Sequence, residues 1–151
     1  MKTAFLFSGQ GTQTPGMGKD LYETYDSARK VFDSIHTDFD VKALCFEGPK
    51  EKLDDTQYTQ VAIFAHSMAA AAVLKEKGIT ADVTAGLSLG EYSALCYAGS
   101  FTIQEGAEIL RERGKLMAHA LPAGTSAMAA VLMLDKEAIL QACDAVKEIG
   151  V

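Results

Sequence analysis

Apolar residues in this chain recur in two rhythms. Thr3–Phe7 and Asp82–Leu87 are short, nearly unbroken apolar runs, each leading into a glycine-containing turn, and they predict buried β-strands. Leu21, Tyr25, Ala28, Val31, Phe32 and Ile35 stand at helical spacing and predict one helix over 20–35, with a shorter one over Val41–Phe46. Gln60 to Lys77 is a longer helical run, so apolar around Ala65–Leu74 that it must be largely enclosed, and Gly78 stops it. Leu89–Tyr97 predicts a helix ending near Gly99. Thr102 and Glu105 then form a capping box that opens a helix running to about His119, before Pro122. Ala123-Gly124-Thr125 reads as a joint, followed by a strand over Ala127–Leu134 and a helix capped by Asp135 that reaches about Glu148. Helices interleaved with apolar strands imply an α/β architecture with a mainly parallel sheet. One strand and one helix after the joint do not make a core, so the chain reads as cut short or reliant on a partner segment.

Composition narrows the function classes. The 151 residues match one domain, and 48% hydrophobic with 23% charged residues is ordinary for a globular protein. A net charge of −6 excludes a phosphate-binding basic surface, so no nucleic-acid partner is expected. No apolar run reaches the ~18 residues of a membrane helix, and Ala4 to Phe7 is too short for the core of a signal peptide. No membrane association is expected, and the cytoplasm is the expected location. Cys45, Cys96 and Cys143, like His36, His66 and His119, lack metal-site spacing, and the cysteines form no disulfide framework. They read as free thiols, and no metal is expected.

The candidate chemistry begins at Gly86-Leu-Ser-Leu-Gly90, a G-x-S-x-G pentapeptide between a strand and a helix. A serine on such a turn projects its Oγ outward as a nucleophile, and the N-terminus of the next helix supplies N–H groups for an oxyanion. The rival reading is a simple helix cap, since Ser88 and Glu91 also match S-x-x-E. A cap does not need glycine at both 86 and 90, whereas a nucleophile turn does.

Ser8-Gly9-Gln10-Gly11-Thr12-Gln13 follows the first strand. As a dinucleotide fingerprint it fails at Thr14, and as a P-loop it fails at Gln13 and Asp20. A loop able to present a backbone N–H beside Ser88 remains. In the helix from Thr102, Arg113 interrupts the otherwise uncharged line Gly106, Ile109, Leu116, Ala120. Either it snorkels at the surface, or it is a permanent cation whose planar fork grips a carboxylate in a cleft.

Together, Gly9-Gln-Gly-Thr-Gln13, Gly86 to Leu95, Arg113-Gly-Lys115 and Gly124 to Ala130 resemble the malonyl-CoA:acyl carrier protein transacylases, the acyltransferases of fatty acid synthesis. The resemblance covers the whole chain, with Leu87 standing where many relatives carry histidine. It implies an α/β-hydrolase-like large subdomain, whose first part would be residues 1–124, and the opening β-α of a ferredoxin-like small subdomain at 125–151. It implies Ser88 as nucleophile, the backbone N–H groups of Gln10 and Leu89 as oxyanion hole, and Arg113 as the partner of the malonyl carboxylate. Malonyl-CoA and acyl carrier protein are then substrates, and no cofactor is needed. Members of that family are about twice as long, and their general-base histidine lies well beyond the serine. His36, His66 and His119 match no family base position, so the base is expected outside this chain. The isolated chain is then expected to be inactive, completed by a missing C-terminal half. The alternatives are a serine esterase or thioesterase of α/β-hydrolase type, which would need neither Arg113 nor the Gln10 loop, and an inactive fragment completed by a second polypeptide.

Overall fold

A computed structural model of the protein describes residues 2–122, 125 and 131–146. Strand β1 (Ala4–Phe7) is followed by helices α1 (Lys19–Thr24), α2 (Asp26–Asp33), α3 (Val41–Glu47), α4 (Lys50–Asp54) and α5 (Thr56–Glu76). Then come β2 (Val83–Gly86), α6 (Gly90–Tyr97), α7 (Ile103–Ala118) and α8 (Lys136–Val146). The chain divides into two compact units, Met1–Ala120 and Leu121–Val151. The second contains α8, which has no buried residue among those described.

In the first unit α5 is the hub. Val61, Ala62, Phe64, Ala65 and Ala69 are fully enclosed, and helices α1 to α4, α6 and α7 all pack against it. A helix apolar on every side is stable only when covered on every side. Asp55 caps its start by accepting from the Gln57 N–H at 3.0 Å, so α5 begins four residues before the apolar run and includes the polar Thr56-Gln-Tyr-Thr59 turn.

The single predicted helix over 20–35 is two helices. Tyr25 adopts an extended backbone (φ −121°, ψ 127°), and its carbonyl accepts the first bond of α2 from the Arg29 N–H. The Lys77 ammonium lies 4.8 Å from the Tyr25 ring centroid, tying this break to the end of α5. Periodicity alone does not register a one-residue break. The five-residue α4 was not anticipated either; it is a single turn that ends where Asp55 caps α5.

Strands β1 and β2 pair in parallel, with Ala4 opposite Val83 and Phe7 opposite Gly86. The expectation of fully buried strands holds for only one face. Phe7 is buried and the Phe5 ring lies 5.2 Å from that of Tyr97, whereas Leu6 is 79% exposed. Phe5 and Phe7 alternate with Leu6, so only one side of the strand meets α6. Parallel pairing places the loop after β1 and the turn after β2 at the same sheet end. That shared end carries the site.

The Thr102–Glu105 capping box is formed, with both backbone N–H groups satisfied at 3.2 and 2.7 Å. Of the strand expected over Ala127–Leu134, residues 127–130 lie outside the described residues, as do Ala123 and Gly124 of the joint, and 131–134 are not strand. Residues 147 and 148 of the last expected helix also lie outside the described set. Among the described residues no helix is long and apolar enough to cross a membrane.

Because Phe64 is fully buried in the hub helix, Phe64→Ala should cost about 3–5 kcal/mol, read as a lowered midpoint in urea denaturation.

Candidate active site

Ser88 has φ +53°, a left-handed backbone that non-glycine residues rarely adopt. Such strain, of order 1–3 kcal/mol, persists only where the surroundings enforce it. Here the surroundings are backbone, packed closely around the turn because positions 86 and 90 are glycine. A Cβ on Gly86 would stand 2.0 Å from the Gly90 carbonyl, and one on Gly90 would stand 2.3 Å from the Phe7 carbonyl oxygen. Strand β1, the turn and the first residue of α6 therefore touch backbone to backbone. The helix-cap reading of Ser88 does not hold. The residue before α6 is Leu89, no side chain caps the helix, and Ser88 offers only its carbonyl, to the Glu91 N–H at 3.1 Å.

The Ser8–Gln13 loop is held over the same sheet end. A Cβ on Gly9 would meet the Leu87 carbonyl oxygen at 2.8 Å, so the loop passes directly against the serine turn. Gln10 donates from its side chain to Thr56 Oγ1 at 2.9 Å, and Gln13 donates to Asp54 at 2.9 Å. These bonds fasten the loop through side chains to the start of α5 and the end of α4. Among the described residues, neither the Gln10 nor the Leu89 backbone N–H donates to an acceptor within the protein.

Arg113 reaches the turn from α7. Its Nη2 donates to Ser88 Oγ at 3.2 Å and its Nη1 donates to the Gln60 side-chain oxygen at 2.5 Å, while the guanidinium lies 5.5 Å from the Tyr92 ring centroid. Arg113 is partly buried and tied to side chains of α5 and the serine turn. No carboxylate among the described residues pairs with it. Outside it lies a groove of about 630 Å³ lined by Tyr92, Ile109, Leu116 and Met117 together with Glu108 and Glu112.

Sequence reasoning missed Gln60 as a site residue. Its signal was a polar residue at the head of an enclosed apolar helix, and it is 0% exposed. Arg111, two residues before Arg113, has a different role. It donates to both carboxylate oxygens of Asp38 at 2.6 and 2.8 Å and to the Gln57 carbonyl at 2.7 Å, stacked between Phe39 and Tyr58. This anchors α7 to α5 and to the loop before α3.

None of the three histidines bonds Ser88. His119 Nδ1 lies 2.7 Å from the Lys115 carbonyl oxygen, and His36 is exposed beside Gln104. His66 lies against Gly18, and burial pushes its pKa down, partly opposed by Asp20. Burial pushes the Cys45 thiol up to about 12 and the Cys96 thiol to about 11, which leaves both protonated and unreactive. Among the described residues, no group of three or more His, Cys, Asp or Glu is placed to hold a metal ion.

Comparison with known proteins matches residues 4–149 to the acyl transferase domain. The chain belongs to the acyl transferase domain family. It is 47% identical over 151 residues to the malonyl CoA-acyl carrier protein transacylase of Bacillus subtilis (strain 168), covering 99% of this chain and 48% of that protein. Among solved structures, the acyl-carrier-protein S-malonyltransferase of Bartonella henselae superposes with a TM-score of 0.94 at 40% identity, over 100% of this chain and 50% of that one. A malonyl-transacylase in complex with its type II PKS acyl-carrier protein superposes at 0.90 and 39% identity, over 98% of this chain and 49% of that one. The chain spans about half the length of the curated relatives it matches. Agreement of this extent fixes the α/β acyl transferase fold for the segment present.

Two outcomes follow from this geometry. Gly86→Ala and Gly90→Ala should each destabilise the protein by more than ~2 kcal/mol in denaturant titration, since the added methyl meets backbone and not a movable side chain. The Arg111 hydrogen bonds hold the Asp38 carboxyl down at about 2, from an ordinary 3.8. A depressed carboxylate pKa stabilises the fold above the unfolded value and stops doing so as pH falls through the folded one. Asp38→Asn should therefore lower the melting temperature at neutral pH, and the gap from the parent should close between about pH 4 and pH 2.

Proposed function

We propose that this chain carries the nucleophile and the acyl-recognition half of a transferase that moves malonyl from coenzyme A to the phosphopantetheine thiol of acyl carrier protein, in fatty acid synthesis. The observation that carries this reading is the hydrogen bond from Arg113 to Ser88 Oγ at 3.2 Å. It sets a permanent cation, with no carboxylate partner among the described residues, beside the hydroxyl to be acylated. A malonyl thioester has a carboxylate one methylene away from its reactive carbonyl, so Arg113 can hold the one while Ser88 attacks the other. The names and partners of the relatives agree with this choice of substrate and carrier.

In this mechanism Ser88 Oγ bonds to the thioester carbonyl carbon and its proton passes to a base. The carbonyl oxygen becomes an oxyanion facing the Leu89 and Gln10 N–H groups. Collapse breaks the C–S bond, releases coenzyme A thiol and leaves a malonyl ester on Ser88. The carrier thiol attacks that ester in the reverse sense. No metal or redox cofactor enters, and malonyl-CoA is a substrate. Arginine is a donor and not a proton acceptor, and none of the three histidines bonds Ser88, so this reading assigns the base to residues other than those described. The boundary between large and small subdomains near 124 belongs to the same proposal.

Intact-mass analysis of the protein expressed from its complete reading frame tests the reading. Malonyl-CoA should add one malonyl group, lost in Ser88→Ala. An unmodified mass, with acylation by an uncharged ester instead, would favour the esterase. Arg113→Ala should reduce malonyl transfer by roughly 10–100-fold and acetyl transfer far less, the loss expected for charge-assisted hydrogen bonds. Equal losses would remove the carboxylate grip.

A further inference from the structure

We propose that Gln60 is the positioning residue of Arg113, and that its neutrality keeps the arginine's charge available to a carboxylate-bearing acyl group. This rests on the reading of Arg113 as the carboxylate partner. Gln60 is completely buried on α5 and followed by the apolar Val61 to Ala65, so its amide has no water to fall back on. Both ends of that amide are used, and both by α7. The side-chain oxygen accepts from Arg113 Nη1 at 2.5 Å, and the Nε2 donates to Met117 Sδ at 3.3 Å. A thioether sulfur accepts and never donates. Met117, one turn beyond Arg113, therefore sets which way the amide faces: nitrogen to the sulfur, oxygen to the guanidinium.

The choice of amide has a chemical consequence. A guanidinium has five N–H donors, and Gln60 takes one, leaving others for Ser88 and for an incoming carboxylate. A glutamate at 60 would orient the arginine equally well but pair with it as an ion, cancelling the charge the substrate needs and competing for the same fork. An apolar residue would leave the charge intact but remove the buried bond that fixes the rotamer, with only the Ser88 hydroxyl and the Tyr92 face remaining. The two carboxylates bordering the outer groove are occupied elsewhere: Glu112 holds Lys115 at 2.9 Å and Glu108 accepts from Gln104 at 2.7 Å. The arginine is held on one side by a neutral acceptor and on another by an aromatic face, and neither quenches it.

The test compares kcat/KM for malonyl-CoA and acetyl-CoA in the protein expressed from its complete reading frame. Gln60→Glu should lower the malonyl-over-acetyl preference at least tenfold, chiefly through a raised KM for malonyl-CoA. Gln60→Met, which keeps the site uncharged, should lower it by a smaller factor. In an Arg113→Ala background Gln60→Met should leave the preference where Arg113→Ala alone puts it, because the residue acts through the arginine. If Gln60→Glu does not fold, Gln60→Met decides. A folded Gln60→Met with parental preference, or an undiminished effect without Arg113, overturns the proposal. Failure of the parent protein to take up malonyl at all is a different result, and it overturns the functional reading beneath.

Discussion

The enclosure of α5 is the constraint from which the rest of the first unit follows. A helix of 21 residues with apolar groups on all sides must be wrapped, and the six helices around it do the wrapping. Its N-terminal turn is where polar groups enter. Thr56 receives Gln10, the Gln57 carbonyl receives Arg111, and Gln60 receives Arg113. One end of one helix thus fixes the donor loop after β1 and the orientation of α7. The core and the site are parts of one construction.

Two arginines two residues apart on α7, and so about 200° apart around it, divide its work. Arg111 is spent on Asp38, the Gln57 carbonyl and two aromatic rings, and its charge is neutralised where it sits. Arg113 is oriented by partners that carry no charge. The difference lies in the neighbours and not in the side chains, which are chemically identical.

Much of this was legible in the chain. The pentapeptide around Ser88, the loop with Gln10 and the isolated Arg113 pointed to one site, and the structure brings Ser88 and Arg113 into contact and the loop against the serine turn. What escaped was whatever depends on a single backbone torsion or on depth. The break at Tyr25 leaves apolar spacing almost unchanged, so two helices read as one. Gln60 looked like a polar helix start because sequence carries no measure of burial. The role of Arg111 was not legible, since its partner Asp38 is distant in the chain. The half-exposed strands read as buried because Leu6 is as apolar as Phe7.

The close approach at Gly86 and Gly90 leaves no room for gradual change. The smallest possible side chain already meets a backbone atom at 2.3 Å or less, so there is no series of tolerable substitutions leading away from glycine at either position. Between them Leu87 is 73% exposed, and just beyond them Glu91 faces outward, so both can vary with little effect on the turn. Leu89 is enclosed in the core, so sequence drift at this turn is confined to the outward-facing Leu87 and Glu91: the turn that aims the serine is inherited whole, while the exposed side chains beside it are free to change.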